Sequence, residues 1–331
     1  MAKILVTGGA GYIGSTTCKL LNRSGHEVIV YDNLSTGHSE LAKFGKLVIG
    51  DIRETSKLAE MMSAEKIEAV IHFAASAYVG ESVTNPSFYY DNNVGGTLSL
   101  LKAMTEAGVS SIVVSSTCAV YGQPDRMPID ETTSLDPINP YGASKAMMER
   151  ICWDFGTAYG IRAVALRYFN ACGTEPELEV GERHDPEPHV IPRILMAADG
   201  VIDSFDIYGT DYPTADGTCI RDYIHVSDLA SAHVRAYDYL AAGNSSFACN
   251  LGTGKGLSVR QILESAKRIT NREITVLNKP RRPGDPAELV ANPSQAYETL
   301  GWRAEHSDIE TIMSSAWSWY RQEAQAREQV S

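Results

Sequence analysis

The 331-residue sequence contains no long hydrophobic run, no excess of positive charge and no internal repeat. No apolar stretch reaches the roughly 20 residues that a membrane-spanning helix needs, so a bilayer protein is not expected. The formal net charge of −12 disfavours nucleic acid and anionic membranes as partners, because their phosphates repel an acidic protein. No signal-peptide core precedes the first strand pattern, so we expect a soluble, cytoplasmic protein.

The six cysteines show neither the paired spacing of a disulfide framework nor the spacing of a zinc site. Most of them lie in apolar runs, which predicts buried, reduced thiols in a cytosolic protein. We therefore expect no bound metal.

The first 32 residues carry the pattern of a dinucleotide-binding unit. An apolar strand at 3–7 leads directly into Gly8-Gly9-Ala10-Gly11-Tyr12-Ile13-Gly14, and a helix pattern follows. Glycines allow the backbone to turn tightly and approach a pyrophosphate, whose charge the helix N-terminus stabilises. The next strand ends in Asp32, where an acid bonds the adenosine ribose hydroxyls and repels a 2′-phosphate. The pattern therefore predicts NAD rather than NADP.

Short apolar strands alternate with helical patterns up to about residue 170. The strands lie near 3–7, 27–31, 46–50, 69–73, 111–116 and 161–167, and the helices near 12–24, 54–64, 86–107 and 140–158. Continuous apolar strands suit a parallel sheet that is covered on both faces. We therefore expect an α/β fold, with a doubly wound parallel Rossmann sheet and a smaller C-terminal α/β substrate domain.

The pattern changes after residue 170, so we expect an NAD-binding domain at 1–170 and a substrate domain at 171–331. The glycine-, proline- and acid-rich stretch 171–189 suits a loop or lid over the crevice. Segments near 226–251 are expected to pack back on the first domain. The later elements are helices near 191–199, 226–242, 258–270, 293–300 and 307–321 and strands near 204–208, 246–251 and 273–277.

Tyr141 and Lys145 lie four residues apart in a helix pattern, and Thr117 ends a preceding strand. Residues with this spacing project from one face of a helix. A phenol titrates near 10 and is a poor base at neutral pH. A close ammonium together with a cationic cofactor is expected to lower the pKa of Tyr141. Most Tyr-x-x-x-Lys pairs are ordinary surface residues. This pair indicates a catalytic site because the chain also carries a glycine-rich dinucleotide loop.

Several longer strings resemble the extended short-chain dehydrogenase/reductase superfamily and its NAD-dependent epimerase/dehydratase family. They are Thr-Gly-Gly-Ala-Gly-Tyr-Ile-Gly at 7–14, Tyr-Asp-Asn at 31–33, Gly-Asp-Ile at 50–52, His-Phe-Ala-Ala at 72–75, Asp-Asn-Asn-Val at 91–94, Ser-Ser-Thr-Cys-Ala-Val-Tyr-Gly at 115–122 and Pro-Tyr-Gly-Ala-Ser-Lys at 140–145. Strings that resemble the UDP-glucose 4-epimerases more specifically are Arg-Tyr-Phe-Asn at 167–170, Gly-Thr-Cys-Ile-Arg-Asp-Tyr-Ile-His-Val at 217–226 and Arg-Arg-Pro-Gly-Asp at 281–285.

The resemblance implies interconversion of UDP-glucose and UDP-galactose through a transient 4-keto sugar, with NAD tightly bound and restored in each cycle. Tyr141 would take the proton of the sugar 4-hydroxyl, Thr117 would bond the same oxygen, and Lys145 would bind the nicotinamide ribose. Implied NAD contacts are Gly8, Gly11, Tyr12, Ile13, Gly14, Asp32, Asn33, Asp51, Ile52, Phe73, Ala74, Ala75, Asn92, Ser115, Lys145 and Phe169. Implied UDP-sugar contacts are Thr117, Tyr141, Asn170, Arg221, Arg282, Asp285 and Leu289.

The resemblance also implies a homodimer, since such enzymes commonly pair two long helices from each subunit. The candidate helices are 86–107 and 140–158, whose apolar positions cover more than one face. These positions are Leu98, Leu100, Leu101, Met104, Met147, Met148, Ile151 and Trp153. One face must pack on the sheet, so the remaining apolar residues are expected to meet a partner.

The sequence departs from the family pattern at three positions. Ala77 stands where a lysine is common, Thr117 where serine is common, and Leu289 at a position that limits room for N-acetylated sugars. Cys118 and Ala119 replace the Asp-Glu pair of sugar 4,6-dehydratases, which disfavours that activity and a decarboxylase. The open alternatives are a UDP-xylose/UDP-arabinose 4-epimerase, suggested by the strings around 115–119 and 137–140, and a non-catalytic NAD-binding sensor.

Overall fold

A seven-stranded parallel sheet forms the centre of the computed structural model, which describes residues 1–282 and 284–328. The described residues form fourteen strands, of which seven belong to this sheet and the others to three small sheets. In chain order the strands are β1 (Lys3–Thr7), β2 (Glu27–Asp32), β3 (Lys46–Ile49), β4 (Ala69–His72), β5 (Ser111–Thr117), β6 (Arg162–Tyr168), β7 (Asn170–Cys172), β8 (Phe205–Tyr208), β9 (Ile220–Arg221), β10 (Tyr223–His225), β11 (Phe247–Leu251), β12 (Leu257–Ser258), β13 (Val276–Lys279) and β14 (Glu288–Leu289). The sheet order is β11-β6-β5-β4-β1-β2-β3. This arrangement confirms the predicted doubly wound Rossmann fold.

Helices cover both faces of the sheet, with α1 and α8 residues on one face and α2, α5 and α6 residues on the other. The helices of the described residues are α1 (Tyr12–Arg23), α2 (Thr55–Glu65), α3 (Val79–Thr84), α4 (Pro86–Tyr89), α5 (Gly96–Ala107), α6 (Pro140–Tyr159), α7 (Val190–Ala198), α8 (Val226–Ala241), α9 (Val259–Thr270), α10 (Ser294–Leu300) and α11 (Ile309–Glu328). Among residues 1–282 and 284–328, no helix is both long enough and apolar enough to cross a membrane.

Strand β1 shows why the sheet needs helices on both sides. Ile4, Leu5 and Val6 are all fully buried. Ile4 and Val6 pack into the apolar core that includes α1 and α8 residues, whereas Leu5 packs into the core that includes α2, α5 and α6 residues. Successive strand residues point to opposite faces, so an apolar run without alternation supplies two cores.

The C-terminal half contributes to the large sheet and also builds a third core. β11 pairs in parallel with β6, and α8 packs against α1. The third core contains buried residues of α7, α9 and α11 together with β8. The division of the chain at residue 170 into cofactor and substrate domains stays a prediction.

The structure corrects the sequence-based elements in a few places. The predicted helix 86–107 is divided, with a π-helical segment at Tyr90–Gly95 between α4 and α5. The predicted strand 273–277 lies instead at Val276–Lys279. The helix α3 and the short strands β7, β9, β10, β12 and β14 were not predicted. Pro283 and residues 329–331, which belong to the predicted arginine-rich string and C-terminal segment, lie outside the described residues.

Candidate active site

Helix α6 places Tyr141 and Lys145 beside the end of β5. The helix begins after Asn139, whose side chain accepts a hydrogen bond from the Gly142 amide at 2.9 Å, a normal N-cap. The Lys145 side chain is buried, and its Nζ donates to the Ser115 carbonyl at 2.8 Å. This contact holds the lysine against the strand that ends in Thr117.

Burial controls the charges of this pair. The desolvated position of Tyr141 raises the pKa of its phenol, while a hydrogen bond with Thr117 acts in the opposite direction. Burial also lowers the pKa of Lys145 to about 7. The expectation that Lys145 and a cationic cofactor together lower the pKa of Tyr141 stays a prediction.

A buried ion pair lies one helical turn beyond Lys145 and was not predicted. Glu149 is 1 % exposed and binds Arg167, with 2.6 Å between Oε2 and Nη2. The Ser116 hydroxyl donates to Glu149 Oε1 at 2.5 Å. Glu149 therefore joins α6 to β5 at the residue between Ser115 and Thr117. The sequence shows that Glu149 lies four residues after Lys145, but it does not show that Glu149 pairs with Arg167 on β6.

The glycine loop forms a close cradle between β1, α1 and the end of β4. Gly8 has φ +73°, and a Cβ built on it would lie 2.6 Å from the Ala74 nitrogen. A Cβ on Gly14 would overlap the Gly8 carbonyl oxygen. Within the described residues, no side chain caps the N-terminus of α1. This cradle and the helix terminus fit a dinucleotide pyrophosphate.

Asp32 is held in place at the end of β2 by backbone amides. Its two carboxylate oxygens accept hydrogen bonds from the amides of Ala10 at 3.0 Å and Leu34 at 2.9 Å. Burial raises its pKa. The neighbouring Asn33 side chain donates to Asp51 at 3.2 Å, so two predicted cofactor residues that follow β2 and β3 lie together.

The remaining predicted cofactor residues lie along the strand ends. The amides of Phe73 and Ala74 both donate to the Thr7 carbonyl. Asn92 contacts Ser76 at 3.3 Å, and Ser115 shares a 2.5 Å hydrogen bond with Tyr168. The other predicted cofactor residues lie as follows: Gly11 precedes α1, Tyr12 and Ile13 lie in the first turn of α1, Ala75 follows β4, Ile52 lies in the core beneath α5, and Phe169 follows β6.

Asn93, which was not predicted, connects two parts of the site. The residue is fully buried, and its side chain donates to Ser144 Oγ and to the Ser76 carbonyl, both at 3.0 Å. The Ser76 amide donates back at 2.8 Å. The π-helical segment thus joins the loop after β4 to the helix that carries Tyr141.

The predicted substrate residues are only partly brought together. Arg221 on β9 binds Asp285 and also donates to the Pro286 carbonyl at 2.9 Å. One carboxylate oxygen of Asp285, Oδ1, is therefore paired with Arg221. The Arg282 guanidinium lies 4.0 Å above the Tyr208 ring, and the Asp285 amide donates to the Arg282 carbonyl at 3.2 Å. The Asn170 amide donates to the Asp222 carbonyl at 2.9 Å, which places β7 next to β10.

Leu289 lies on β14 opposite Arg221 and packs into the apolar cluster that contains buried Phe169. Cys118 belongs to the same cluster, directly after Thr117. Burial raises the pKa of the Cys118 thiol to about 12, so the thiol is not an acid–base group at neutral pH. Ala77, at the usual lysine position, is exposed and offers no charge.

Comparisons with known proteins agree with this geometry. Residues 4–252 match the profile of the "NAD dependent epimerase/dehydratase family". The chain belongs to this family. A UDP-glucose 4-epimerase of Rhizobium meliloti is 50% identical over 317 residues, which are 96% of each chain. The family, the fold and the enzyme class predicted from the sequence are thereby confirmed.

Two solved structures are similar over nearly the whole chain. The UDP-glucose 4-epimerase of Brucella ovis in complex with NAD has a TM-score of 0.95 and 51% identity, and the match covers 97% of this chain and 98% of that one. The enzyme of Stenotrophomonas maltophila, with bound NAD and formylated UDP-arabinopyranose, also has a TM-score of 0.95, with 38% identity and coverage of 98% and 100%.

Proposed function

We propose that this chain is a UDP-glucose 4-epimerase that interconverts UDP-glucose and UDP-galactose through a transient 4-keto sugar. The observation that carries the proposal is the juxtaposition of Tyr141, Lys145 and the β5 terminus at Thr117 beside a dinucleotide cradle. Two relatives that are 50% and 51% identical over nearly the full length are named UDP-glucose 4-epimerases. A non-catalytic sensor would not need the tyrosine and the lysine.

The cradle residues fit NAD. The backbone around Gly8, Gly11 and Gly14 would hold the pyrophosphate, Asp32 the adenosine ribose and Lys145 the nicotinamide ribose. When bound, NAD supplies a hydride acceptor and donor and a positive charge. The anionic form of Tyr141 needs such a charge, because burial in the protein alone opposes it.

The residues of the chain would move one proton in each direction. Tyr141 would accept the proton of the sugar 4-hydroxyl and return it to the same oxygen after the sugar has rotated. Thr117 would donate a hydrogen bond to that oxygen. Arg221 and Arg282 would bind the diphosphate through their guanidinium groups, and Asn170 and Asp285 would contact uridine or sugar hydroxyls.

A pentose sugar is the second candidate, because the similar Stenotrophomonas enzyme holds formylated UDP-arabinopyranose. Incubation of the purified protein with UDP-galactose and with UDP-arabinopyranose, followed by chromatography of the products, separates the two. We expect faster turnover of UDP-galactose. Faster turnover of the pentose would favour the second candidate, and no turnover of either would contradict both.

We further propose that the protein is a cytoplasmic homodimer. All six cysteines are free thiols, and five are buried, which suits a reducing compartment. On the helices proposed to pair, Leu100, Leu101, Met104 and Met148 are internal core, whereas Leu98, Ile151 and Trp153 are partly exposed and Met147 is exposed. These exposed and partly exposed residues, with Phe88 on α4, form the surface that we assign to the partner subunit.

A further inference from the structure

Four potential metal ligands lie together in the segment between β7 and α7. They are Glu182, His184, Glu187 and His189, and one ligand atom of each lies within 4.8 Å of all the others. The side chains of Glu182 and Glu187 are only 9% and 10% exposed. Two carboxylates and two imidazoles thus converge within one continuous stretch, outside the residues to which the proposed reaction assigns a role.

The carboxylate oxygens and imidazole nitrogens are in direct contact, at separations near those of ligands around one ion. Glu182 Oε1 lies 3.1 Å from Nδ1 of His184 and 2.9 Å from Nδ1 of His189. Glu187 faces the same two nitrogens, with Oε1 at 2.8 Å from His189 and Oε2 at 3.6 Å from His184. Tetrahedral ligands at zinc distances stand about 3.3 Å apart. The four ligand atoms lie within 4.8 Å of one another, so the pairs farthest apart would approach by up to about 1.5 Å to complete such a site.

We infer that Glu182, His184, Glu187 and His189 form a binding site for one divalent transition-metal ion, with zinc as the expected occupant. Imidazole nitrogen with carboxylate oxygen is a donor set that suits zinc and cobalt, whereas magnesium and calcium prefer oxygen alone. A doubly charged ion between two carboxylates also balances their charge. In the structure His184 and His189 pair with these carboxylates, and the ion would take over that role as their counter-charge.

The surroundings hold the four side chains in place. Trp319 on α11 donates from Nε1 to the Glu182 carbonyl at 2.9 Å, and Arg183 forms an ion pair with Glu323, which also lies on α11. The rings of Tyr12 and Tyr78 approach His184 edge-on, with centroids 6.4 and 5.9 Å away. Four protein ligands fill a tetrahedral ion, so the site is structural. A bound ion would fix the segment 182–189 between α11 and the start of α1.

Cobalt(II) binding tests this site directly. The full-length protein is treated with a chelator, dialysed and titrated with cobalt(II), and zinc is then added as a competitor. We expect one equivalent of cobalt, visible ligand-field bands of a tetrahedral ion, displacement by zinc and a higher Tm with zinc. His184→Gln and Glu187→Gln should each weaken cobalt binding at least about tenfold, since each removes one ligand.

His306→Gln is the matched control, because His306 is an exposed histidine outside the cluster and should leave cobalt binding unchanged. Far-UV circular dichroism checks that each variant folds. The proposal is overturned if the parent protein shows no tetrahedral bands, if sulfur-to-cobalt charge-transfer bands appear, or if His184→Gln binds cobalt as the parent does. The cluster is then an ion-pair network only. No sugar is used, so this outcome leaves the proposed epimerase activity untouched.

Discussion

Tyr141 occupies a position in which its own protein disfavours the phenolate. Burial raises the pKa of Tyr141 and lowers that of Lys145 to about 7, so both side chains tend toward their neutral forms. The proposed reaction therefore depends on where the hydroxyls of Tyr141 and Thr117 lie as much as on the charge of Lys145.

Tyr141→Phe removes the proposed proton acceptor and keeps the ring. We expect turnover of UDP-galactose to fall by about two orders of magnitude or more, the scale for loss of an acid–base group. The affinity for UDP-sugar, measured by calorimetry, should change little. Thr117→Ser keeps the hydroxyl and should be mild, whereas Thr117→Val should be severe. A Tyr141→Phe variant with the parent rate would rule out the proposed base.

Leu289 is proposed to limit the sugar pocket, since it packs beside Phe169 and Cys118 next to Thr117. The parent should turn over UDP-N-acetylgalactosamine poorly. Leu289→Ala should raise activity on this sugar relative to UDP-galactose by about tenfold, because an apolar contact of this size gives about 1–3 kcal/mol of discrimination. Leu277→Ala, at an exposed position on β13, is the control. An unchanged ratio for Leu289→Ala would place the limit elsewhere.

At the scale of elements, periodicity decided what could be predicted. The strands of the large sheet and the long helices repeat an apolar pattern over enough residues to be seen. Two-residue strands such as β9, β12 and β14 have no period, and they exist only because distant segments pair there. The π-helical segment depends in the same way on tertiary contacts, since Asn93 bonds to Ser76 and Ser144.

In the candidate site, too, local features could be predicted from the sequence and long-range contacts could not. The glycine loop, Asp32 and the Tyr141–Lys145 pair are local patterns, and the sequence shows them directly. The pairing of Arg221 with Asp285 joins residues that are 64 positions apart, so the sequence alone did not indicate this ion pair. The pKa of Tyr141 likewise follows from burial, which no local pattern contains.

The glycine loop and β2 should determine how much NAD the purified protein carries. Without added cofactor, denaturation of the parent should release about one dinucleotide per chain, measured by absorbance after chromatography. Asp32→Ala should lower this occupancy more than it lowers Tm. Gly14→Ala should lower both, because its methyl group overlaps the Gly8 carbonyl. Parent protein with almost no bound NAD would contradict the proposed tight binding.

For the whole molecule, buried histidines make stability depend on pH. Burial lowers the pKa of His72 to about 3 and those of His225 and His233 to about 4. In the unfolded chain the value is about 6.5, so the unfolded state binds more protons below that pH. The free energy of unfolding should therefore fall as pH drops from about 6.5 to 4, by up to about 1.4 kcal/mol per unit for each histidine. Urea unfolding at several pH values measures this slope. His72→Gln should make it shallower, and an unchanged slope would contradict the assignment.

The exposed apolar residues on α4 and α6 bear on whether two chains assemble into a dimer. Phe88 on α4 and Met147 on α6 are 42% and 45% exposed, and α4 packs against α6. Exposed apolar residues on adjacent helices are the expected surface of a symmetric dimer. Sedimentation at micromolar concentration should give the dimer mass for the parent, and Met147→Glu should shift it to monomer because a charge would be buried. Val201→Glu is the control, since Val201 is exposed outside the surface assigned to the partner. Only a monomer mass for the parent would exclude the dimer, whereas a dimeric Met147→Glu variant would place the interface on another surface.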